Sequence, residues 1–189
     1  MATSSSKTEK LALSRTQMRA LIRALKNPEA RYLALLAWGT SGRPSNVHDL
    51  LRENITYAPA ETAYSILWSR HKTSMSRGAF NTHTSFGPYT SAIDQWLSAK
   101  EPKDRLFTTP LVPLLKEIRL ALQELNPKFD LRCLRRGALR TLAEAGTSVE
   151  TLLLFSGHVS SRMLYQYLGA GLHMAKDRAA GMIASTHLW

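Results

Sequence analysis

The spacing of apolar residues changes twice along this chain, and this pattern limits the folds that the chain can adopt. From Ser14 to about Leu51, and again after Pro88, apolar residues recur at intervals of three and four, which is typical of amphipathic helices. Between Asn54 and Gly87 they alternate instead, which predicts short strands. The sequence therefore predicts a mainly α fold with one small three-stranded antiparallel sheet.

Capping residues, prolines and glycines predict where these elements begin and end. Ser14 and Gln17 have capping-box spacing, so the first helix should begin there and end before Pro28. A second helix should reach Gly39, and Pro44 should open a short third helix. The third helix is predicted to contain Val47, Leu50 and Leu51, and later boundaries are predicted at Asn126-Pro127, Gly146 and the capping-box pair Thr147 and Glu150. The strands are predicted at Ile55 and Tyr57, at Tyr64, Ile66 and Trp68, and at Phe80, Thr82, Thr84 and Phe86, with a hairpin over residues 71–78.

The chain is strongly basic. Its 189 residues include 25 Lys and Arg against 14 Asp and Glu, a formal net charge of +11. Such a charge attracts polyanions at long range, and nucleic acid is the partner that it predicts first. Charge does not distinguish binding of nucleic acid from catalysis on it, and an ordinary basic surface is the alternative.

Other features exclude several classes of protein. The first ten residues are polar and lack the apolar stretch of a secretory signal, and no later run approaches the ~20 apolar residues of a membrane span. Cys133 is the only cysteine, so an intramolecular disulfide and a metal site built on paired cysteines are excluded. We therefore expect an intracellular protein without a membrane segment.

Several short segments with basic or nucleophilic side chains follow one another in a suggestive order. They are Thr40-Ser41-Gly42-Arg43, His71-Lys72-Thr73, Leu134-Arg135-Arg136-Gly137-Ala138, Ser156-Gly157-His158 and Tyr165-Gln166-Tyr167. Arg135 at a helix start, a Gly-His pair after the next helix and a tyrosine two to three turns beyond would together form a pocket for a phosphodiester.

This ordered set resembles the catalytic domain of the tyrosine recombinases, the phage-integrase family, over residues 11–171. The resemblance implies an enzyme that cuts a strand of double-stranded DNA through a 3′-phosphotyrosine link and passes it to a new 5′-hydroxyl, without metal or cofactor. It implies self-association on DNA as a dimer or a tetramer. Residues 1–10 would then be a disordered leader, and residues 172–189 a helical tail that docks in cis or in trans.

The resemblance also implies roles for individual residues. Arg43 and Arg135 match the two family arginines, whose planar forks donate paired hydrogen bonds to phosphate oxygens. Lys72 matches the hairpin lysine that acts as general acid toward the leaving 5′-oxygen. His158 matches the residue that hydrogen-bonds the scissile phosphate, and Tyr167 matches the nucleophile, with Tyr165 as its nearest rival.

Two positions depart from the family pattern. Arg132 stands where a histidine is usual, and an arginine can bind phosphate but cannot accept a proton, so the general base is left open. Asn46 stands where an acidic residue is frequent. The predicted catalytic set is Arg43, Lys72, Arg132, Arg135, His158 and Tyr167. The predicted contacts to the DNA backbone are Arg70, His71, Arg77, Arg136 and Arg140.

The function predicted first is integration or excision of a mobile element by a site-specific recombinase. Three alternatives remain open on the sequence: a DNA-binding domain of the same fold without catalysis, a nicking and resealing enzyme similar to type IB topoisomerases, and an RNA-binding or structural basic protein. The compartment would be the nucleus in a eukaryote and the cytoplasm or nucleoid in a prokaryote.

Overall fold

The structure is a computed structural model that describes residues 11–58, 63–69, 78–157 and 164–165. Its helices are α1 Arg15–Ala24, α2 Pro28–Gly39, α3 Pro44–His48, α4 Thr90–Ser98, α5 Leu111–Leu125, α6 Arg132–Glu144 and α7 Val149–Ser156. Its strands are β1 Ile55–Ala58, β2 Ala63–Trp68 and β3 Phe80–Thr84. The predicted fold class, mainly α with one small antiparallel sheet, is confirmed.

The three strands pair in the order of the sequence. β2 is central, with Ile66 opposite Ile55 on β1 and opposite Thr82 on β3. The Trp68 indole N–H donates to the Thr82 hydroxyl at 2.9 Å inside the sheet. Phe86, which the alternation placed in the third strand, lies beyond its end and is buried.

The first helix begins as its sequence predicts. The Ser14 hydroxyl accepts the Gln17 backbone N–H at 3.2 Å, and the Gln17 side chain accepts the Ser14 N–H at 2.9 Å. This reciprocal pair satisfies two amide groups that the helix itself cannot. α2 spans Pro28–Gly39, and its end at Gly39 is the one that was predicted.

The third helix is shorter than its apolar spacing suggests. It ends at His48, so Leu50 and Leu51 are not part of it and that prediction was wrong. The helix ends there because the backbone of the next residues pairs with a distant segment. The Leu50 carbonyl accepts the Leu106 N–H at 3.2 Å, and Leu51 forms a β-bridge with Arg105. Leu50 is still buried, which explains its contribution to the apolar pattern.

The start of α7 also differs from its prediction. Ser148, not Thr147, is the N-cap, and its hydroxyl accepts the Thr151 N–H at 3.1 Å. Thr147 instead belongs to the end of α6, where its N–H donates to the Leu142 carbonyl at 3.1 Å. Gly146 ends α6 as predicted, with a φ of 93° that suits glycine. The prediction of a capping box between Thr147 and Glu150 was therefore wrong, because the N-cap lies one residue later, at Ser148.

α6 crosses the middle of the domain, packing on α2 and on α7. Residues 11–13 lie against its first turns, where the Leu13 N–H donates to the Cys133 carbonyl at 3.1 Å. Gly137 allows this approach, because a Cβ there would meet the Leu13 backbone and would lie 2.6 Å from the Trp38 ring. No helix within the described ranges has both the length and the apolar character needed to cross a membrane.

Candidate functional site

The turn between α2 and α3 is held by hydrogen bonds of its own residues. The Thr40 hydroxyl donates to the Leu36 carbonyl at 2.6 Å and accepts the Gly42 N–H at 3.0 Å. A Cβ at Gly42 would lie 2.7 Å from Thr40 Oγ1, so a side chain has no room there. Ser41, between them, is fully buried and has a φ of 50°. Within the described residues it is the only non-glycine residue with a positive φ.

This turn delivers Arg43 to the start of α3. Arg43 is the N-cap residue, and its carbonyl accepts the Val47 N–H at 3.0 Å. Pro44 occupies the first helical position, where its fixed φ favours the helix and no N–H is needed. The Arg43 side chain is exposed and has no hydrogen-bond partner among the described residues. Its guanidinium is therefore available to an external anion.

Arg135 connects two distant parts of the chain. Its Nη1 donates to the Ser41 carbonyl at 2.6 Å, 94 residues away in sequence, and its Nη2 donates to the Ser156 carbonyl at 2.8 Å. Both bonds are charge-assisted, which makes them stronger than bonds between neutral groups. A guanidinium has five N–H donors, and these two bonds use two of them. The plane of the guanidinium is thus fixed by the α2–α3 turn on one side and the end of α7 on the other.

Three predicted catalytic arginines meet at one pocket. The pocket has a volume of about 270 Å³ and is lined by Arg43, Arg132 and Arg135 together with Gly42, Pro44, Ser45, Leu115 and Leu131. No carboxylate is among these lining residues. Three like charges at one opening repel one another unless an anion lies between them. The arrangement is chemically suited to a phosphate group.

Arg132 is exposed at the first position of α6. Its backbone N–H donates to Asp130 Oδ1 at 3.0 Å, so a carboxylate satisfies an amide that the first turn of the helix leaves without an intrahelical partner. Arg135 lies one turn further along α6, inside the helix and not at its entrance as the sequence suggested. The two side chains reach the same pocket because residues three apart lie on one face of a helix.

The other two arginines of α6 have different surroundings, although the spacing of Arg132, Arg136 and Arg140 predicts one face. The Arg136 side chain is only 12% exposed, lies 3.8 Å from the Asp130 carboxylate and donates to the Leu11 carbonyl at 3.2 Å. Arg140 lines a separate groove of about 530 Å³ between α1 and α6. The described contacts of Arg136 are internal, and its contact with DNA stays a prediction, as does that of Arg140.

Cys133, beside this site, is not a second nucleophile. The residue is 1% exposed, and burial raises the pKa of its thiol. Because the thiolate is the reactive form, a raised pKa makes the side chain inert at neutral pH. Cys133 packs in the hydrophobic core and is not among the residues that line the pocket.

The rest of the predicted site lies outside the described residues. These positions are Arg70, His71, Lys72, Arg77, His158 and Tyr167. The described chain reaches the edge of this set at Gly157, which closes α7 with a φ of 63° immediately before His158. Tyr165 is described, and it is 40% exposed next to the fully buried Leu164. Residues 1–10, predicted to be a leader, and the predicted tail at residues 172–189 also lie outside the described residues.

Two residues of the site were missed by sequence reasoning. Ser41 and Ser156 contribute only their carbonyl oxygens to Arg135, and a main-chain acceptor leaves no signature in a sequence. The one available signal was indirect. Ser41 sits between a threonine and a glycine in a tight turn, where a left-handed residue was a reasonable expectation.

No family model matches the sequence, and no curated protein matches it either. The fold, however, is similar to several solved structures. The catalytic domain of bacteriophage HP1 integrase matches with a TM-score of 0.67 and 18% identity, over 95% of this chain and 97% of that domain. XerH recombinase, bound to its palindromic difH substrate, matches with a TM-score of 0.70 and 14% identity, over 97% of this chain and 55% of that one.

The integrase of the Tn1549 transposon, in complex with circular-intermediate DNA, is a third similar structure. It matches with a TM-score of 0.64 and 14% identity, over 92% of this chain and 68% of that one. This chain spans about half the length of XerH and about two thirds of the Tn1549 fragment. At these identities the likeness establishes the fold, which is that of the catalytic domains of tyrosine recombinases.

Proposed function

We propose that this chain breaks and rejoins strands of double-stranded DNA as a site-specific recombinase, in the integration or excision of a mobile element. The observation that carries the proposal is the single pocket shared by Arg43, Arg132 and Arg135, set in this fold. A phosphodiester gains negative charge on its nonbridging oxygens as it is attacked. Guanidinium groups held in place before the reaction stabilise that charge without reorganising.

The proposed reaction is a transesterification at phosphorus. The Tyr167 oxygen attacks, a bond forms between that oxygen and phosphorus, and the bond to the 5′-oxygen breaks. Lys72 donates a proton to the leaving 5′-oxygen, and His158 donates a hydrogen bond to the phosphate. The phosphotyrosine link keeps the bond energy, so a 5′-hydroxyl of another strand can reverse the step without cofactor.

The proton of Tyr167 needs an acceptor that Arg132 cannot be, because an arginine stays charged at every useful pH. Positive charge near the phenol lowers the pKa of that group and favours the phenolate. We propose that the arginine pocket supplies this effect, and that His158 or a water molecule takes the proton. The enzyme would act inside the cell, as a dimer or a tetramer on DNA. Sedimentation with and without a duplex would measure this oligomeric state.

The test is capture of a covalent adduct on nicked suicide DNA, analysed on a denaturing gel. The wild type is compared with Tyr167→Phe and with the matched control Tyr165→Phe. An adduct that is lost in Tyr167→Phe and kept in Tyr165→Phe supports the proposal. An adduct that disappears only in Tyr165→Phe would show that Tyr165, and not Tyr167, is the nucleophile. If the wild type forms no adduct on any duplex tested, the proposed enzymatic function is overturned.

The second candidate is a DNA-binding domain of the same fold without catalysis. Arg132 favours it, because this exposed side chain adds a phosphate ligand at the place where a proton-transferring histidine is usual. Duplex binding that weakens steeply with salt, with no adduct, would establish this function. Relaxation of a supercoiled plasmid without strand exchange would instead indicate activity like that of type IB topoisomerases.

A further inference from the structure

We propose that Ser41 is a positioning residue, whose left-handed backbone sets the orientation of Arg135 relative to Arg43. This inference rests on the proposed function, because it concerns how the phosphate pocket is assembled. The Ser41 carbonyl accepts Arg135 Nη1 at 2.6 Å, and Arg43 follows only two residues later. One short turn therefore fixes both arginines, although they lie on different helices.

The Ser41 side chain does not account for the conformation of the turn. Serine at a φ of 50° is strained by its Cβ, and its buried Oγ has no hydrogen-bond partner in the described part of the chain. Both features are unfavourable, so other contacts must hold the residue in place. The carbonyl bond to Arg135 is the strongest of these, since its donor is charged.

Hydrogen bonds of the Thr40 hydroxyl stabilise this turn. The hydroxyl joins the Leu36 carbonyl at 2.6 Å to the Gly42 N–H at 3.0 Å, on both sides of Ser41. Without the hydroxyl the strained residue can relax toward a negative φ, and its carbonyl then turns away from Arg135. A displacement of about 1 Å in a catalytic group is enough to cost ~100-fold in rate.

The experiment compares two nearly isosteric substitutions of buried threonines, Thr40→Val and Thr82→Val. Each removes a hydroxyl that makes hydrogen bonds, but Thr82 bonds Trp68 in the sheet and is not among the residues that line the pocket. We expect Thr40→Val to slow single-turnover cleavage about 10- to 100-fold. Its affinity for duplex DNA should change less than about threefold, since Arg43 and Arg132 are untouched.

A second substrate separates positioning from general structural damage. A methylphosphonate at the scissile position lacks the charged oxygen, so a misplaced guanidinium matters less there. The Thr40→Val defect should shrink at least fivefold on this substrate, and any Thr82→Val defect should be the same on both. Equal defects on both substrates for Thr40→Val would overturn the proposal.

Variants of Ser41 itself complete the test. Ser41→Val adds a branched side chain that disfavours positive φ, whereas Ser41→Gly keeps the carbonyl and accepts that φ without strain. We expect Ser41→Gly to cleave at least tenfold faster than Ser41→Val. Equal rates for the two would contradict a role for the backbone conformation. If Ser41→Val does not fold, the Thr40→Val comparison stands alone.

A measurement without catalysis keeps this inference separate from the proposed function. If the wild type cleaves no DNA, the proposed function fails, and the thermal unfolding midpoints of Thr40→Val, Arg135→Lys and the double variant decide the positioning. Coupling through the Ser41 carbonyl predicts a double shift smaller than the sum of the single shifts. Additive shifts would overturn the positioning role.

Discussion

Replacement of Ser41 by glycine should stabilise the protein, although glycine usually destabilises. Relief of the left-handed strain contributes ~1–2 kcal/mol, and removal of a buried hydroxyl without a partner contributes ~1–3 kcal/mol. Against this, the backbone entropy of glycine costs ~0.5–1 kcal/mol, and the lost methylene costs ~0.8 kcal/mol. The balance is a gain of roughly 0.2–3.7 kcal/mol, with a midpoint of about 2 kcal/mol. This midpoint corresponds to several degrees in Tm for a chain of this size.

Urea denaturation of Ser41→Gly, Ser41→Ala and Ser45→Gly tests this estimate. Ser41→Ala removes the hydroxyl and keeps the Cβ, so the difference between Ser41→Gly and Ser41→Ala isolates the strain. Ser45 lies exposed in α3 with ordinary helical geometry, so glycine there should cost about 0.5–1 kcal/mol. If Ser41→Gly lowers the free energy of unfolding as Ser45→Gly does, Ser41 is not strained and the reasoning fails.

Three further predictions follow from the described contacts. Arg135→Lys cannot bridge two carbonyls and should lower the free energy of unfolding by ~1.5–3 kcal/mol; in the same variant adduct formation should fall by ~100-fold or more, and unchanged adduct rates would contradict the pocket. Gly137→Ala should cost ~1–3 kcal/mol in a urea titration, because its Cβ would lie 2.6 Å from the Trp38 ring. Burial and a hydrogen bond to Asp94 raise the pKa of Tyr64, so the stability that depends on its proton is complete below the ordinary pKa of ~10 and is lost at higher pH. The free energy of unfolding should therefore fall more steeply above about pH 10 in the wild type than in Tyr64→Phe, and parallel profiles would refute this.

Local signals in the sequence were sufficient where an element depends on its own residues. The capping pair of Ser14 and Gln17 forms as predicted because both partners lie within one turn of helix. Gly146 ends α6 because glycine tolerates the left-handed conformation at low cost. Alternation of apolar residues likewise predicted the three strands of the antiparallel sheet.

Predictions failed where a distant segment competed for the same backbone. Leu50 has the spacing of a helical residue, yet its carbonyl bonds Leu106 and the helix ends earlier. Thr147 has the spacing of a cap, yet its N–H is used by the end of the preceding helix. Neither partner could be found from local spacing, because both depend on how the chain folds around them.

The candidate site divides in the same way. Residue type and order in the sequence determined which side chains could bind a phosphate, since the guanidinium groups of Arg43, Arg132 and Arg135 carry that chemistry in any fold. The tertiary structure decided that these three meet at one pocket and that Arg136, on the same helix, is held by internal contacts. Only the tertiary structure could show that Ser41 holds Arg135 through a carbonyl oxygen. Every residue has that carbonyl, so its role depends on position alone, and position is set by packing across the whole domain.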